Sequence, residues 1–469
     1  MFKNPASRLA RCRLARCSRG NIAIMFAASL IPIIGSIGLG VDVARAYAVK
    51  SRMANALDAA ALAVGSSTGT TAQLNQVAQN FFNANYPTGI MGAIPTVHIT
   101  VNGDVITATA SATLSTVFMK VLGKTQMTVS ASSEVIRKIT GLELAMVLDN
   151  TGSMTTNNNI ASLRDAANEL VTILFGSYTT HPTLKIALVP YSAAVNPGAV
   201  AASLVGAGAA YDAVNVTGWK GCVVERASPN TLADTPAATA LWTRYSWAPA
   251  IDNSYTAGVA STIKADPSNG NSSTGPNVGC PTPITPLTNV KSTLTTAITA
   301  MQAWSRGGTL GDIGMAWGLR VLSPESPFTE GQPWGTPNLT KAVIMMTDGV
   351  NQVYKLTSTS GANKVNSAVH SDYTGYGRLD ELGRVGSTTI AGAQTVVDSR
   401  MAALCETMKA KKIVVYTIVF TGTQDAATKA MYKSCASDDS KFFDAPSQTD
   451  LKNAFTAIAV SLSNLRISQ

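Results

Sequence analysis

Three oxygen-bearing side chains, Asp149, Thr151 and Ser153, alternate with Asn150 and Gly152 directly after the apolar run Leu144 to Leu148. A run of that length reads as a strand buried on both faces, as in parallel sheets covered by helices. A carboxylate and two hydroxyls at its carboxyl end lie where open α/β sheets bind ligands, and they are hard donors suited to Mg²⁺, Ca²⁺ or Mn²⁺. Two later segments have matching chemistry. Ser305-Arg-Gly-Gly-Thr309 precedes an apolar helical stretch, and its glycines let the backbone bring the Thr309 hydroxyl close to an ion. Lys341-Ala-Val-Ile-Met-Met-Thr-Asp348-Gly349 is a second apolar strand that ends in an acid and a glycine turn. The spacing alone is weak evidence, because Asp252, Ser254 and Thr256 repeat it. Those residues follow Trp-Ala-Pro-Ala-Ile, whose proline rules out a central strand.

Taken together, the segments around Asp149, Thr309 and Asp348 resemble the metal-ion-dependent adhesion site of a von Willebrand factor A domain. The resemblance implies a mostly parallel, Rossmann-like α/β fold with ligands at Asp149, Thr151, Ser153, Thr309 and Asp348, Thr151 standing where Ser is commoner. It implies hydroxyls bound directly to the ion, carboxylates bound directly or through water, and one octahedral position left for a carboxylate from a partner protein. The alternative is a degenerate domain whose polar loops are hydrogen-bonded and hold no metal.

The elements that must position these residues can be read on both sides of the motif. After the first strand, Asn158 to Phe175 is predicted as a helix with Leu163, Ala166 or Ala167, Leu170 and Leu174 on one face, and Leu184 to Pro190 as a second strand. Residues 195 to 285 are rich in Ala, Gly, Ser, Thr, Asn and Pro, and read as an insertion on the metal-bearing side or edge. A further loop, Thr357 to Thr389, is expected to be mobile. A helix from Val396 to Lys411, a strand from Ile413 to Phe420, a short helix from Gln424 to Lys433 and a helix from Leu451 to Leu465 complete an α/β core.

Composition points to a membrane. The chain has 469 residues, 46% hydrophobic and only 13% charged, and a net charge of +9. Lys3, Arg8, Arg11, Arg13, Arg16 and Arg19 supply most of that charge, so the remainder is nearly neutral and no nucleic-acid surface is implied. From Ile22 to Val41 runs an uncharged apolar segment about 30 Å long as a helix, the thickness of a bilayer core. Ala28, Pro32, Ser36 and Gly40 put small side chains on one stripe of it, where another helix could approach. The charge bias keeps the amino terminus cytoplasmic and exports the bulk. A cleaved signal peptide is disfavoured by the length of the run, and a prepilin site after Gly20 by Met25, which stands where prepilins usually carry Glu.

Past Asp42 the helix continues, with Ala46, Val49, Met53, Leu57, Ala60, Ala61 and Val64 on one face. Alternation at Val97, Ile99 and Val101, a turn at Asn102-Gly103, and alternation again at Met127, Val129, Ala131 and Val135 predict a small sheet packed on that stalk. Gly123-Lys124-Thr125 is not a phosphate loop, because Phe118 occupies the place of the first glycine. The stretch Arg-Gly-Asn-Ile-Ala through Ala56-Leu57-Asp58-Ala59-Ala60-Ala61-Leu62-Ala63 resembles the amino-terminal region of TadG-like proteins of the tight-adherence (Flp) pilus system, a family that joins such a segment to a von Willebrand factor A domain. The resulting expectation has four parts: a cytoplasmic basic arm at 1–20, a transmembrane helix at 21–42, a stalk helix with a small pilin-like α+β region at 43–138, and the A domain at 139–469. The resemblance implies a single-pass bacterial inner-membrane protein facing the periplasm. Its role would be pilus assembly or adhesion through acidic partner proteins, with a structural minor pilin-like subunit or surface adhesin as the alternative.

Cys12 and Cys17 fall in the basic arm and read as free thiols. Of the three pairings open to the other four, Cys222 with Cys280 and Cys405 with Cys435 are favoured, and a zinc site is not, since no pair has the close spacing it needs. His98, His181 and His370 have no catalytic spacing, and a cation between Asp149 and Asp348 would keep both ionised, so no enzyme is expected.

Overall fold

The computed structural model describes residues 18–65, 67, 71–86, 95–102, 105–136, 140–205, 219–247, 276–325, 327–355, 369–421 and 426–465. The chain divides into Met1–Arg137 and Lys138–Gln469. Cys12, Cys17 and the decoy Asp252, Ser254 and Thr256 lie outside the described residues.

The first unit is built on one long helix. α1 (Ser18–Gly65) runs unbroken through Pro32, and it is long and apolar enough to cross a membrane. Its first half leaves Ile22, Ile24, Met25, Phe26, Ile31, Ile34 and Ile37 exposed, which in water would be costly and in lipid would not. Its second half buries Ala46, Val49, Met53, Leu57, Ala60, Ala61 and Val64, the face expected from their spacing. Against it pack α2 (Thr71–Asn85) and a three-stranded antiparallel sheet, β1 (Thr96–Asn102), β2 (Val105–Ser115) and β3 (Gln126–Ile136), in the order β1-β2-β3. The hairpin pairs Asn102 with Val105; the turn residues 103 and 104 lie outside the described residues. The central strand β2 presents Ile106, Ala108, Ala110, Ala112 and Leu114 to the helices, and the small alanines allow close approach.

In the second unit the chain order is β4 (Gly141–Asp149), α3 (Asn159–Phe175), β5 (Leu184–Tyr191), α4 (Ala201–Leu204), β6 (Val223–Val224), β7 (Thr243–Arg244), β8 (Thr285–Thr288), α5 (Lys291–Ala300), β9 (Gly308–Thr309), α6 (Gly311–Leu322), β10 (Leu339–Thr347), β11 (Gln352–Val353), α7 (Ile390–Ala410), β12 (Val414–Val419), α8 (Ala426–Cys435), β13 (Phe442–Asp444) and α9 (Gln448–Leu465). Six strands form one sheet, β13-β12-β10-β4-β5-β8, in which only the edge strand β8 runs antiparallel. Alternate residues of β4 face opposite cores. Leu142, Leu144, Met146 and Leu148 join α3, α5 and α9, whereas Ala145 and Val147 join α6, α7 and α8. The sheet is thus covered on both faces, which is why β4 and β10 are apolar throughout their buried length.

Lys341 and Glu143 are opposite one another across β10 and β4, and their side chains meet at 2.6 Å inside the molecule. The ammonium also donates to the Leu322 and Gln332 carbonyls, and Glu143 accepts from the Gln332 N–H, so the buried pair is fully hydrogen-bonded.

The described parts of the 195–285 insertion pack on the domain: Leu204, Val223, Leu232 and Trp242 share a hydrophobic cluster with Trp317 and Leu319 of α6. One expectation about loops needs correction. Of the loop expected to be mobile from Thr357 to Thr389, residues 369–389 are described, and Ser371, Asp372, Tyr373, Thr374, Tyr376, Arg378 and Leu379 are buried. Hydrogen bonding explains this. Arg378 donates to the Ser371 carbonyl, the Ser371 hydroxyl accepts from Leu379, and Tyr373 packs on Tyr245 and Trp247. Disulfides join Cys222 to Cys280 and Cys405 to Cys435, the second pinning α7 to α8.

Two outcomes follow for the fold. Lys341→Met leaves Glu143 buried without its cation and is expected to cost roughly 3–5 kcal/mol in urea unfolding, and adding Glu143→Gln should restore much of the loss. Replacing Cys405 and Cys435 together by Ser should lower stability by about 3 kcal/mol without changing the circular dichroism spectrum.

Candidate metal centre

The order of the large sheet sets the location. From β4 the chain moves one way to β5 and β8 and later the other way to β10, β12 and β13, so the order reverses between β4 and β10. Ligands of open α/β sheets bind in the crevice at the strand ends beside such a reversal. Asp149 is the last residue of β4, and Asp348 directly follows β10.

Asp149 forms the floor of the crevice and is fully buried. Its carboxylate accepts from the Thr151 N–H at 2.8 Å and from the Thr347 hydroxyl at 2.9 Å, and the Tyr191 hydroxyl stands 3.3 Å away. Above it, the Thr151 and Ser153 hydroxyls are 3.0 Å apart, and Ser153 donates to Asp348 Oδ1 at 2.7 Å. Ser153 is exposed and Asp348 partly so, which leaves the rim open to solvent. These hydrogen bonds bring together four of the five residues expected to meet.

Thr309 arrives by a different route. β9 pairs with β11, putting Thr309 opposite Gln352 in the segment that follows Asp348, and the Trp304 N–H donates to the Asn150 carbonyl beside the motif. No hydrogen bond among the described residues joins its hydroxyl to the other four. The loop leading to it is tightly fixed. Arg306 makes two hydrogen bonds to the buried Asp372 carboxylate, at 2.7 and 2.9 Å, and the Gly307 N–H makes a third at 2.8 Å. Both glycines are required: Gly307 and Gly308 have φ of 79° and 126°, and a side chain on either would collide with Ala193 or the Gln352 carbonyl.

The two acids lie close together with little to balance them. Neither Asp149 nor Asp348 has a Lys or Arg ion pair among the described residues. Burial pushes the Asp149 carboxyl up. Burial and then the neighbouring Asp149 charge push Asp348 up to about 7. No three His, Cys, Asp or Glu side chains converge among the described residues, so an ion here would depend on hydroxyls as much as on carboxylates. Two carboxylates and adjacent hydroxyls are all hard oxygen donors, and they fit Mg²⁺, Ca²⁺ or Mn²⁺ better than a softer metal. Thr347, Tyr191 and Asp372 were missed from sequence. Thr347 is the residue before the second acid, but nothing in a one-dimensional pattern shows that its hydroxyl turns to the first acid.

The comparisons with known proteins bear mainly on the amino-terminal segment. Residues 20–67 match a family model described as putative Flp pilus-assembly TadE/G-like. No curated protein matches the chain. Similar solved structures include the vWF domain of the type V pili tip protein Mfa5 from Porphyromonas gingivalis, 13% identical over 71% of this chain and 97% of that one, with a TM-score of 0.38. The pilus adhesin SpaC from Lactobacillus rhamnosus GG is 10% identical over 79% of this chain and 34% of that one, with a TM-score of 0.37. The PilB minor pilin from Streptococcus sanguinis is 12% identical over 79% and 78%, also with a TM-score of 0.37.

The raised Asp348 carboxyl gives a pH prediction. An unfolded Asp titrates near 3.9, so between about 4 and about 7 the metal-free folded protein binds a proton that the unfolded chain does not, and its stability falls as pH rises through that window. In chelator, the melting temperature should therefore drop between about pH 5 and about pH 8, and millimolar Mg²⁺ should reverse the drop at the higher pH while doing little at the lower. The sheet order, the two-sided helical cover and the placement of both acids at the strand ends make the second unit an open, mostly parallel α/β domain, in a chain whose residues 20–67 resemble the TadE/G-like family.

Proposed function

We propose that this chain is a membrane-anchored component of a tight-adherence (Flp) pilus system that recognises other proteins through a divalent cation held by Asp149, Thr151, Ser153, Thr309 and Asp348. The observation that carries the reading is the unneutralised carboxylate pair at the sheet's reversal point, lined by hydroxyls and open at its rim. When bound, the cation supplies a Lewis-acidic point able to accept a carboxylate from another protein. The chain's own residues do the rest. Thr347 and the Thr151 N–H fix the Asp149 carboxylate, Ser153 orients Asp348, and Asp372 holds the loop that carries Thr309. In this reading the role is recognition, with both acids serving as ligands to the ion. The TadE/G-like segment associates the chain with pilus assembly, and the apolar first half of α1 supplies a single membrane anchor. The basic residues before Ile22 favour a cytoplasmic amino terminus and a periplasmic bulk, in the inner membrane of a bacterium.

Asp348→Asn, at the rim, removes a charge without opening a cavity. It should abolish Mg²⁺ binding by isothermal titration, leave the fold intact by circular dichroism, and eliminate pilus assembly or adhesion in cells. Full assembly and adhesion in a variant that no longer binds metal would overturn the reading. Cell fractionation separates the two roles: an assembly factor stays with the inner membrane, whereas recovery in sheared pili would identify a structural subunit with the domain on display.

A further inference from the structure

The β2–β3 connection carries an apolar surface that the core does not use. Val117, Phe118, Val121 and Leu122 are 46%, 40%, 80% and 62% exposed, in a turn with the exposed cations Lys120 and Lys124. This turn is rigidly built. Residues 119–122 form a 3₁₀ helix, Gly123 closes it at φ 84°, and the Thr116 N–H returns to the Thr125 carbonyl at 3.0 Å.

It is also locked to one level of α1. The buried Asp42 carboxylate accepts the N–H groups of Val117, Phe118 and Met119 at 2.9, 2.9 and 2.8 Å. One turn earlier in the helix, Phe118 lies against Gly38, where any side chain would collide with its ring. Asp42 is the first charged residue after the apolar run from Ile22 to Val41, so on the reading of that run as a membrane span it marks where the helix leaves the hydrocarbon.

We propose that the 117–122 turn is a second membrane contact, with Val117, Phe118, Val121 and Leu122 dipping into the lipid interface beside α1 and Lys120 and Lys124 meeting anionic headgroups. Its apolar side chains are continuous with the lipid-facing surface of the span through the Phe118–Gly38 contact, and long lysine stems can reach the headgroup layer while their alkyl parts stay in the apolar zone. Two attachments at one level fix the tilt and rotation of the small sheet on the membrane, which a single helix does not.

The proposal rests on the reading of α1 as a span, and the test separates the two. The full chain, carrying Cys12→Ser and Cys17→Ser, is reconstituted into vesicles of phosphatidylcholine and phosphatidylglycerol with an environment-sensitive fluorophore at Val121→Cys, Ile31→Cys or Leu62→Cys. All three positions are exposed, and Leu62 lies about 30 Å farther along α1 from Asp42. Spin-labelled lipids should quench the labels at 31 and 121 several-fold more strongly than the label at 62. Quenching at 31 with none at 121 overturns the second contact and leaves the span intact. No quenching at either overturns both. An apolar environment at 121 that responds to dilution with unlabelled protein but not to lipid quencher would assign the turn to a contact between copies and overturn the membrane contact.

Discussion

Two carboxylates held in one crevice, with no ion-paired lysine or arginine among the described residues, are the constraint on which the second unit depends. Asp149 lies at the end of a strand whose neighbours bury it completely, and Asp348 lies beside it across the reversal of the sheet. Apolar burial on both faces cannot compensate for like charges at that distance from water, so the surroundings supply donors to both: Thr347 and the Thr151 N–H to Asp149, Ser153 to Asp348. These donors stabilise the anions only partly, as the upward shift of both carboxyls shows. In the function proposed for the site, a dication completes the balance.

Three other acids of the interior obey a different logic. Glu143 with Lys341, Glu225 with Arg320, and Asp372 with Arg306 are each paired inside the molecule. Every one ties together segments distant in sequence: β4 to β10, the insertion to α6, and the loop around residue 372 to the Thr309 loop. Asp149 and Asp348 differ in having no such arginine or lysine among the described residues, a lack they share with the buried Asp312, which the Tyr376 hydroxyl and the Ile313 N–H satisfy instead.

Much of this was legible in the sequence because its signals are local. Five apolar residues in a row followed by Asp149, and the same pattern before Asp348, predict buried strands with acids at their ends, and the face of α1 from Ala46 to Val64 follows from helical spacing alone. In sequence the strand β2 is marked only by the turn before it, because alternating Ala with Thr and Ser is a weak strand signal; its alanines suit the helices packed above it. The loop around residues 369–389 reads as polar and irregular, yet Asp372, Tyr373 and Arg378 are buried against Arg306, Tyr245 and the Trp247 ring, each more than sixty positions away. Tertiary partners of that kind leave no periodic trace. Thr309 is intermediate: its glycines announce a tight loop, but the grip of Asp372 on that loop appears only in three dimensions.

The covalent tie between Cys405 and Cys435 bears on how the domain can change shape. α7 runs for 21 residues along one face of the sheet, and a long surface helix of this kind can in principle slide along its own axis by a turn, about 5.4 Å. Here its carboxyl-terminal part is stapled to α8, which is itself hydrogen-bonded to β12 through Thr417 and the Tyr432 carbonyl. Any axial shift of α7 must therefore carry a neighbouring helix and a strand end with it, and must also break the hydrogen bonds that Asn351 donates to Asp398 and that Arg400 donates to the Arg384 and Val385 carbonyls.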